Sequence, residues 1–227
     1  MLRRVIYAAL ERKLNRAYGD RLAALGPTPK GVFWRSESAQ IARFDALLNL
    51  VATVTPVANP TLGDVGCGYG AMLDFVQKTP RYQNFQYIGT DINRKMISSC
   101  KQKFLDQKHL FFVGKHPPST VDFCLLSGTF NLCHTTNISL WHEYIFTNLE
   151  KCWRSSRYGV VLNLLCSPKT EIKNKIFYAE RQTFITTASQ VFGPTHARST
   201  PHVAGDVTFF ITKPRVKHGG CERKPRA

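Results

Sequence analysis

No run of apolar residues in this 227-residue chain is long enough to span a bilayer. The longest, such as residues 159–166, fall far short of the ~20 that a membrane helix needs. The start does not read as a signal peptide. Met1-Leu2-Arg3-Arg4 is positively charged, but Glu11, Arg12 and Lys13 break the apolar stretch behind it and leave an amphipathic helix. Cys-x-x-Cys pairs are missing. The seven cysteines are odd in number and scattered. Cys124, Cys133, Cys152 and Cys166 sit in or beside apolar runs, as buried free thiols do, which points to the reducing cytoplasm. Metal-ligand spacing is absent as well, since His134 and His142 stand apart with no cysteine pattern to support them.

Acids are scarce. Lys and Arg number 31 against 15 Asp and Glu, a net charge of +16. Such an excess suits RNA, DNA or anionic lipid, or it reflects basic ends alone. Residues 1–21 hold six bases against two acids and residues 213–227 six against one, so the ends carry +9 of the +16. The rest is spread without one long basic block, so a nucleic-acid partner is the less favoured expectation.

What is present is an alternation. Apolar Val5, Ile6, Ala9, Leu10 and Leu14 recur at helical spacing, so residues 1–30 are expected as an N-terminal helical extension closed by Gly26-Pro27-Thr28-Pro29. Ser36 is the expected N-cap of a second helix with Ile41, Phe44, Leu47, Leu48 and Val51 on one face. Strands are then expected to end near 66 and to cover 86–91, 109–113, 121–127, 159–165, 197–201 and 206–212. Helices are expected over 71–78, 94–105, 140–155 and 180–190. Continuous apolar strands alternating with helices imply a doubly wound, mainly parallel α/β sheet over 31–213. The Pro/Gly/Lys/Arg composition of 214–227 implies a basic disordered tail.

Leu62 to Gly70 reads L-G-D-V-G-C-G-Y-G and is followed at once by an amphipathic run. Glycines belong where a backbone turns sharply and approaches a ligand. A second strand, Tyr87-Ile88-Gly89-Thr90-Asp91, ends in an acid, the type of group that grips ribose hydroxyls at a strand tip. A nicotinamide-binding turn would place two residues between its last glycines, and here there is one.

Asp64-x-Gly66-x-Gly68-x-Gly70 together with Tyr87 to Asp91 resembles the first two motifs of the class I S-adenosylmethionine-dependent methyltransferases of small-molecule type. The resemblance implies a Rossmann-like seven-stranded sheet with an antiparallel last strand, for which 206–212 is the candidate. It implies S-adenosyl-L-methionine as cofactor, with the loop Gly66, Cys67, Gly68 and Gly70 at its carboxylate and Asp64 holding the turn or meeting its ammonium. Asp91 would accept from the ribose hydroxyls, and Ile92 would lie against adenine. Val113-Gly114-Lys115-His116 departs from the family, which often has an acid there at the adenine amine. By the same resemblance Ser127 and Gly128 after the fourth strand line the cofactor site, and Phe130 and Asn131 face the acceptor. The resemblance also implies that Trp34 would close over the cofactor and that Arg43 would pair with its carboxylate.

Methyl transfer to a nucleophilic acceptor rests on positioning, with a general base useful for a hydroxyl or a protonated amine. His134, Tyr178 and His202 are the candidate bases. No Asn-Pro-Pro-Tyr or Asp-Pro-Pro-Tyr follows the fourth strand, which argues against a nucleic-acid base amine as acceptor. The expected function is methylation of O or N in a small metabolite or biosynthetic intermediate. The alternatives are an RNA or protein methyltransferase anchored by basic ends, and a non-catalytic binding protein of the same fold.

Overall fold

A computed structural model describes residues 2–213 of the chain, and the expected tail 214–227 lies outside the described residues. The chain runs α1 (Leu2–Leu25), α2 (Glu37–Val54), β1 (Thr61–Val65), α3 (Ala71–Lys78), β2 (Gln86–Asp91), α4 (Arg94–Lys103), β3 (Phe111–Val113), β4 (Val121–Leu126), α5 (Ile138–Arg154) and β5 (Ser156–Leu165). It continues through β6 (Glu171–Lys173), β7 (Ile176–Tyr178), α6 (Arg181–Val191), β8 (Thr195–Ser199) and β9 (Asp206–Thr212).

Seven strands form one sheet in the order β3-β2-β1-β4-β5-β9-β8. Pairing is parallel from β3 through β5, and β9 runs antiparallel to both β5 and β8. The fold is Rossmann-like and doubly wound, with the order reversing between β1 and β4. That reversal opens a crevice beyond the carboxyl ends of these strands, where doubly wound folds take ligands.

Each central strand is buried on both faces because its residues alternate between two apolar layers. Cys124 and Leu126 of β4 face α1, α5 and α6, whereas Phe123 and Leu125 face α2, α3 and α4. Each such Leu or Phe contributes about 1.5–3 kcal/mol. The N-terminal helix belongs to the first layer through Leu10 and Leu14, with Val5 left exposed. Ser36 caps α2 as expected, its Oγ accepting from Ala39 N at 3.2 Å. Ile41 on that helix is exposed, while Phe44, Leu47, Leu48 and Val51 are buried.

Several boundaries differ from the expected ones. α5 starts at Ile138 because the Asn137 side chain caps it, accepting from Leu140 N at 2.9 Å. β3 is confined to Phe111–Val113, since His109 and Leu110 are held in 3-10 turns over Leu105–Leu110. β8 lies two residues earlier than expected. The β6–β7 hairpin was not expected from the sequence; it turns through Asn174 and Lys175 at φ 53° and 63°.

Candidate active site

A cavity opens beyond the carboxyl ends of β1, β2 and β4. Its floor is the glycine loop. Gly66 N and Cys67 N both donate to Thr90 O, at 2.7 and 3.0 Å, and so tie the loop to β2. Gly68 N donates to Asp91 Oδ2 at 3.0 Å, and Asn93 N donates to Asp91 Oδ1 at 2.7 Å. The Asp91 carboxylate is thus clamped between loop and helix, and each oxygen keeps a second acceptor position.

The three glycines after β1 differ in what surrounds them. A Cβ on Gly68, at φ +55°, would meet only Val32 at 3.6 Å, so this position faces the cavity. A Cβ on Gly70, at φ +80°, would lie 2.7 Å from the Phe104 ring. Gly70 is therefore a packing position at the start of α3 and is not part of the cavity wall. Gly66 lies against the Thr129 side chain, whose Oγ1 bonds Val65 O at 2.8 Å and joins the β4 loop to β1.

Asp64 is buried, with Oδ2 accepting from Tyr87 Oη at 2.6 Å. Burial pushes its carboxyl up to about 7, against the pull of that hydrogen bond. Asp91 is pushed up to about 6, also by burial, with the two backbone N–H groups pulling it down. The neighbouring Cys100 thiol and burial hold Cys67 far above a reactive range, so it lines the cavity as an inert group.

The β4 loop contributes Ser127, Gly128, Thr129 and Phe130 to the wall. Ser127 Oγ is buried with no hydrogen-bond partner. Trp34 covers the loop, its ring about 2.9 Å from where a Gly128 Cβ would stand. Ile92 is in the wall too. So are three residues of α1 (Leu14, Asn15 and Tyr18) and the pair Gln40 and Tyr69, joined by a 2.9 Å hydrogen bond.

Other expected site residues stand elsewhere. Arg43 is not free to meet a ligand carboxylate. It pairs with buried Asp206 at 2.6 Å and stacks its guanidinium 4.5 Å from the Trp34 ring, acting behind the wall. Asn131 also lies outside the wall, because its Oδ1 accepts from Leu165 N and its backbone oxygen from Phe177 N, which anchors the β7 segment to β5. None of the three candidate bases reaches the cavity. His134 lies in a separate depression with Ile6, Lys13 and Asn174, and burial together with Lys175 and Lys13 lowers its pKa. Tyr178 ends β7, and His202 is exposed in the turn before β9.

Helical spacing marked Leu14 as apolar but gave no sign that α1 would wall a cavity with Asn15 and Tyr18. Among the described residues no group of His, Cys, Asp or Glu could hold a metal ion, and no helix is long and apolar enough to cross a membrane.

Residues 63–155 match a family described as "Methyltransferase domain". Over 131 residues the chain is 26% identical to Rv1506c, a provisionally assigned methyltransferase of Mycobacterium tuberculosis, covering 56% of this chain and 78% of that protein. Its fold is similar to that of a SAM-dependent methyltransferase of Leishmania major, with a TM-score of 0.61, 13% identity and coverage of 86% and 82% of the two chains. It is also similar to magnesium protoporphyrin IX methyltransferase of Synechocystis PCC 6803 with bound SAH, with a TM-score of 0.56, 13% identity and coverage of 78% and 84%.

Proposed function

We propose that the chain is a class I S-adenosylmethionine-dependent methyltransferase that methylates an oxygen or nitrogen of a small metabolite or biosynthetic intermediate. The observation that carries the small acceptor is the enclosure of the cavity. Helix α1 walls one side and Val32 and Trp34 another.

The wall suits the cofactor at three points. Gly68 keeps its Cα bare toward the cavity, Ser127 Oγ is an unmet polar atom, and Asp91 has acceptor capacity left. In this reading the bare Gly68 lets the methionyl carboxylate approach the loop, whose Gly66 and Cys67 N–H groups are committed to Thr90, and Asp64 stabilises the ammonium. Asp91 takes the ribose hydroxyls, Ile92 lies against the base, and Gly128 leaves room for Trp34 to exclude water. The bound cofactor supplies an electrophilic methyl group on a sulfonium.

Phe130 offers the acceptor an apolar surface on the β4 side. Among the described residues no histidine lines the cavity, which favours an acceptor that is nucleophilic without a dedicated base, its rate coming from orientation. Cell extract incubated with the enzyme and isotope-labelled S-adenosylmethionine, followed by mass spectrometry, should yield a labelled small molecule. Label found only in RNA or protein would refute the small-acceptor reading.

A further inference from the structure

The cofactor reading above also fixes where the base must lie. Amino acid, ribose and base follow one another along the cofactor, and β1, β2 and β3 are neighbours along the sheet edge. With the loop after β1 and Asp91 at the tip of β2 given to the first two parts, the base falls at the tip of β3. That tip is Gly114-Lys115. It sits against Asp91 through Gly114 N donating to Asp91 O at 3.0 Å and through the Asp91–Val113 register.

Lys115 lines the cavity there, and its Nζ is 2.5 Å from Glu11 Oε1 on α1. The same Glu11 oxygen accepts from Tyr144 Oη at 3.3 Å, so the acid is held from two sides. One helical turn further along α1, Asn15 also lines the cavity. Its backbone oxygen accepts from Asn93 Nδ2 at 3.0 Å, which fixes this stretch of α1 beside the Asp91 turn. Its own Oδ1 is buried and has no partner, a state that is rare unless something else supplies a donor.

Lysine can only donate, and an amide oxygen only accepts. Adenine presents an amine donor beside a ring-nitrogen acceptor. The geometry points to helix α1 as the reader of the cofactor's base: Lys115, positioned by Glu11, donates to a ring nitrogen, and the Asn15 amide oxygen receives the amine. Hypoxanthine in the same place presents a carbonyl oxygen and an N–H. The N–H would then face the ammonium of Lys115, which has no acceptor to offer.

Calorimetry with S-adenosylhomocysteine and S-inosylhomocysteine tests this without turnover. The full-length wild type should prefer the adenine form by more than about tenfold. Asn15→Leu and Lys115→Met should each reduce that preference to about threefold or less, with unchanged circular dichroism. Glu11→Gln should reduce it in part, because Lys115 loses its anchor and keeps its charge. A preference unchanged in both Asn15→Leu and Lys115→Met, or a wild type that binds the two ligands equally, would overturn the inference and leave the cofactor reading standing. A wild type that binds neither would overturn both.

Discussion

Burial makes the charged form of Asp64 costly. Its carboxyl is raised from 3.8 to about 7 by burial, so at pH 8 the free protein holds a desolvated charge. For a raised acid, stability is greatest below the unfolded value and declines as pH rises through the folded one, here from about 4 to about 7. Asp64→Asn should therefore be more stable than wild type by up to about 4 kcal/mol at pH 8, with the gain vanishing near pH 4. Urea melts at several pH values would show it, and a variant destabilised equally throughout would disprove it. Binding asks for the opposite state. If Asp64 meets an ammonium and Asp91 ribose hydroxyls, cofactor affinity should climb as pH rises through 6 to 7 and then level off, with proton release measurable in buffers of different ionisation enthalpy. The glycines separate the two roles of the loop. Gly68→Ala places a methyl group in open cavity and should cost the fold only about 1–2 kcal/mol for its positive φ. Its affinity for S-adenosylhomocysteine should nevertheless fall at least about tenfold. Gly70→Ala pushes a methyl group into Phe104 and should lose about 2–4 kcal/mol of stability through strain and overpacking together. Melting curves and calorimetry on the two variants should give opposite rankings.

Helix α2 is fastened to β9 by one buried ion pair, Arg43 with Asp206, whose side chains are 8% and 0% exposed. Asp206 also accepts from Thr200 Oγ1 at 2.6 Å, and burial raises its pKa against the pull of Arg43. Arg43→Ala strands that carboxylate and should cost about 3–5 kcal/mol, with cofactor affinity falling as well because Trp34 loses its support. Arg43→Met with Asp206→Asn should recover much of the stability, and strictly additive losses in the double variant would argue against the pair. These two residues are 163 positions apart, which is why the sequence suggested a ligand for Arg43 and no internal partner. Elements whose reasons are local were legible. Apolar runs gave β1, β2, β4, β5 and β9, the Ser36 cap gave α2, and glycine spacing gave the loop. The β6–β7 hairpin was not legible, because its strands are three residues each and carry Glu171 and Lys173 among apolar neighbours. The acceptor-side candidates were illegible for a related reason. Whether Asn131 faces a ligand or ties down Leu165 depends on a strand 34 residues away.

Most of the positive charge belongs to the described residues. Of the +16, the segment beyond Lys213 holds five bases and one acid, so trimming there leaves +12. Within the described body some bases face acids: Arg3 with Glu143, Arg81 with Asp45, Lys103 with Asp74, Lys115 with Glu11, Arg154 with Glu150 and Arg157 with Asp122. A groove that tracks a phosphate backbone needs bases free to displace counterions, and paired bases release few. The cavity itself is walled by α1 and Trp34, so a nucleotide within a polymer would have to be drawn out and inserted there. The enclosure favours a small acceptor and sets the last expectation. Protein trimmed after Lys213 should keep its S-adenosylhomocysteine affinity and its turnover, and full-length protein should bind total RNA only weakly at physiological salt. Filter binding at two salt concentrations measures this, since log K should fall by about 0.7 per phosphate contact for each tenfold rise in salt on single strands. Submicromolar RNA binding that survives physiological salt and disappears on trimming would assign the basic end a substrate-anchoring role, and the acceptor would then have to be sought in RNA.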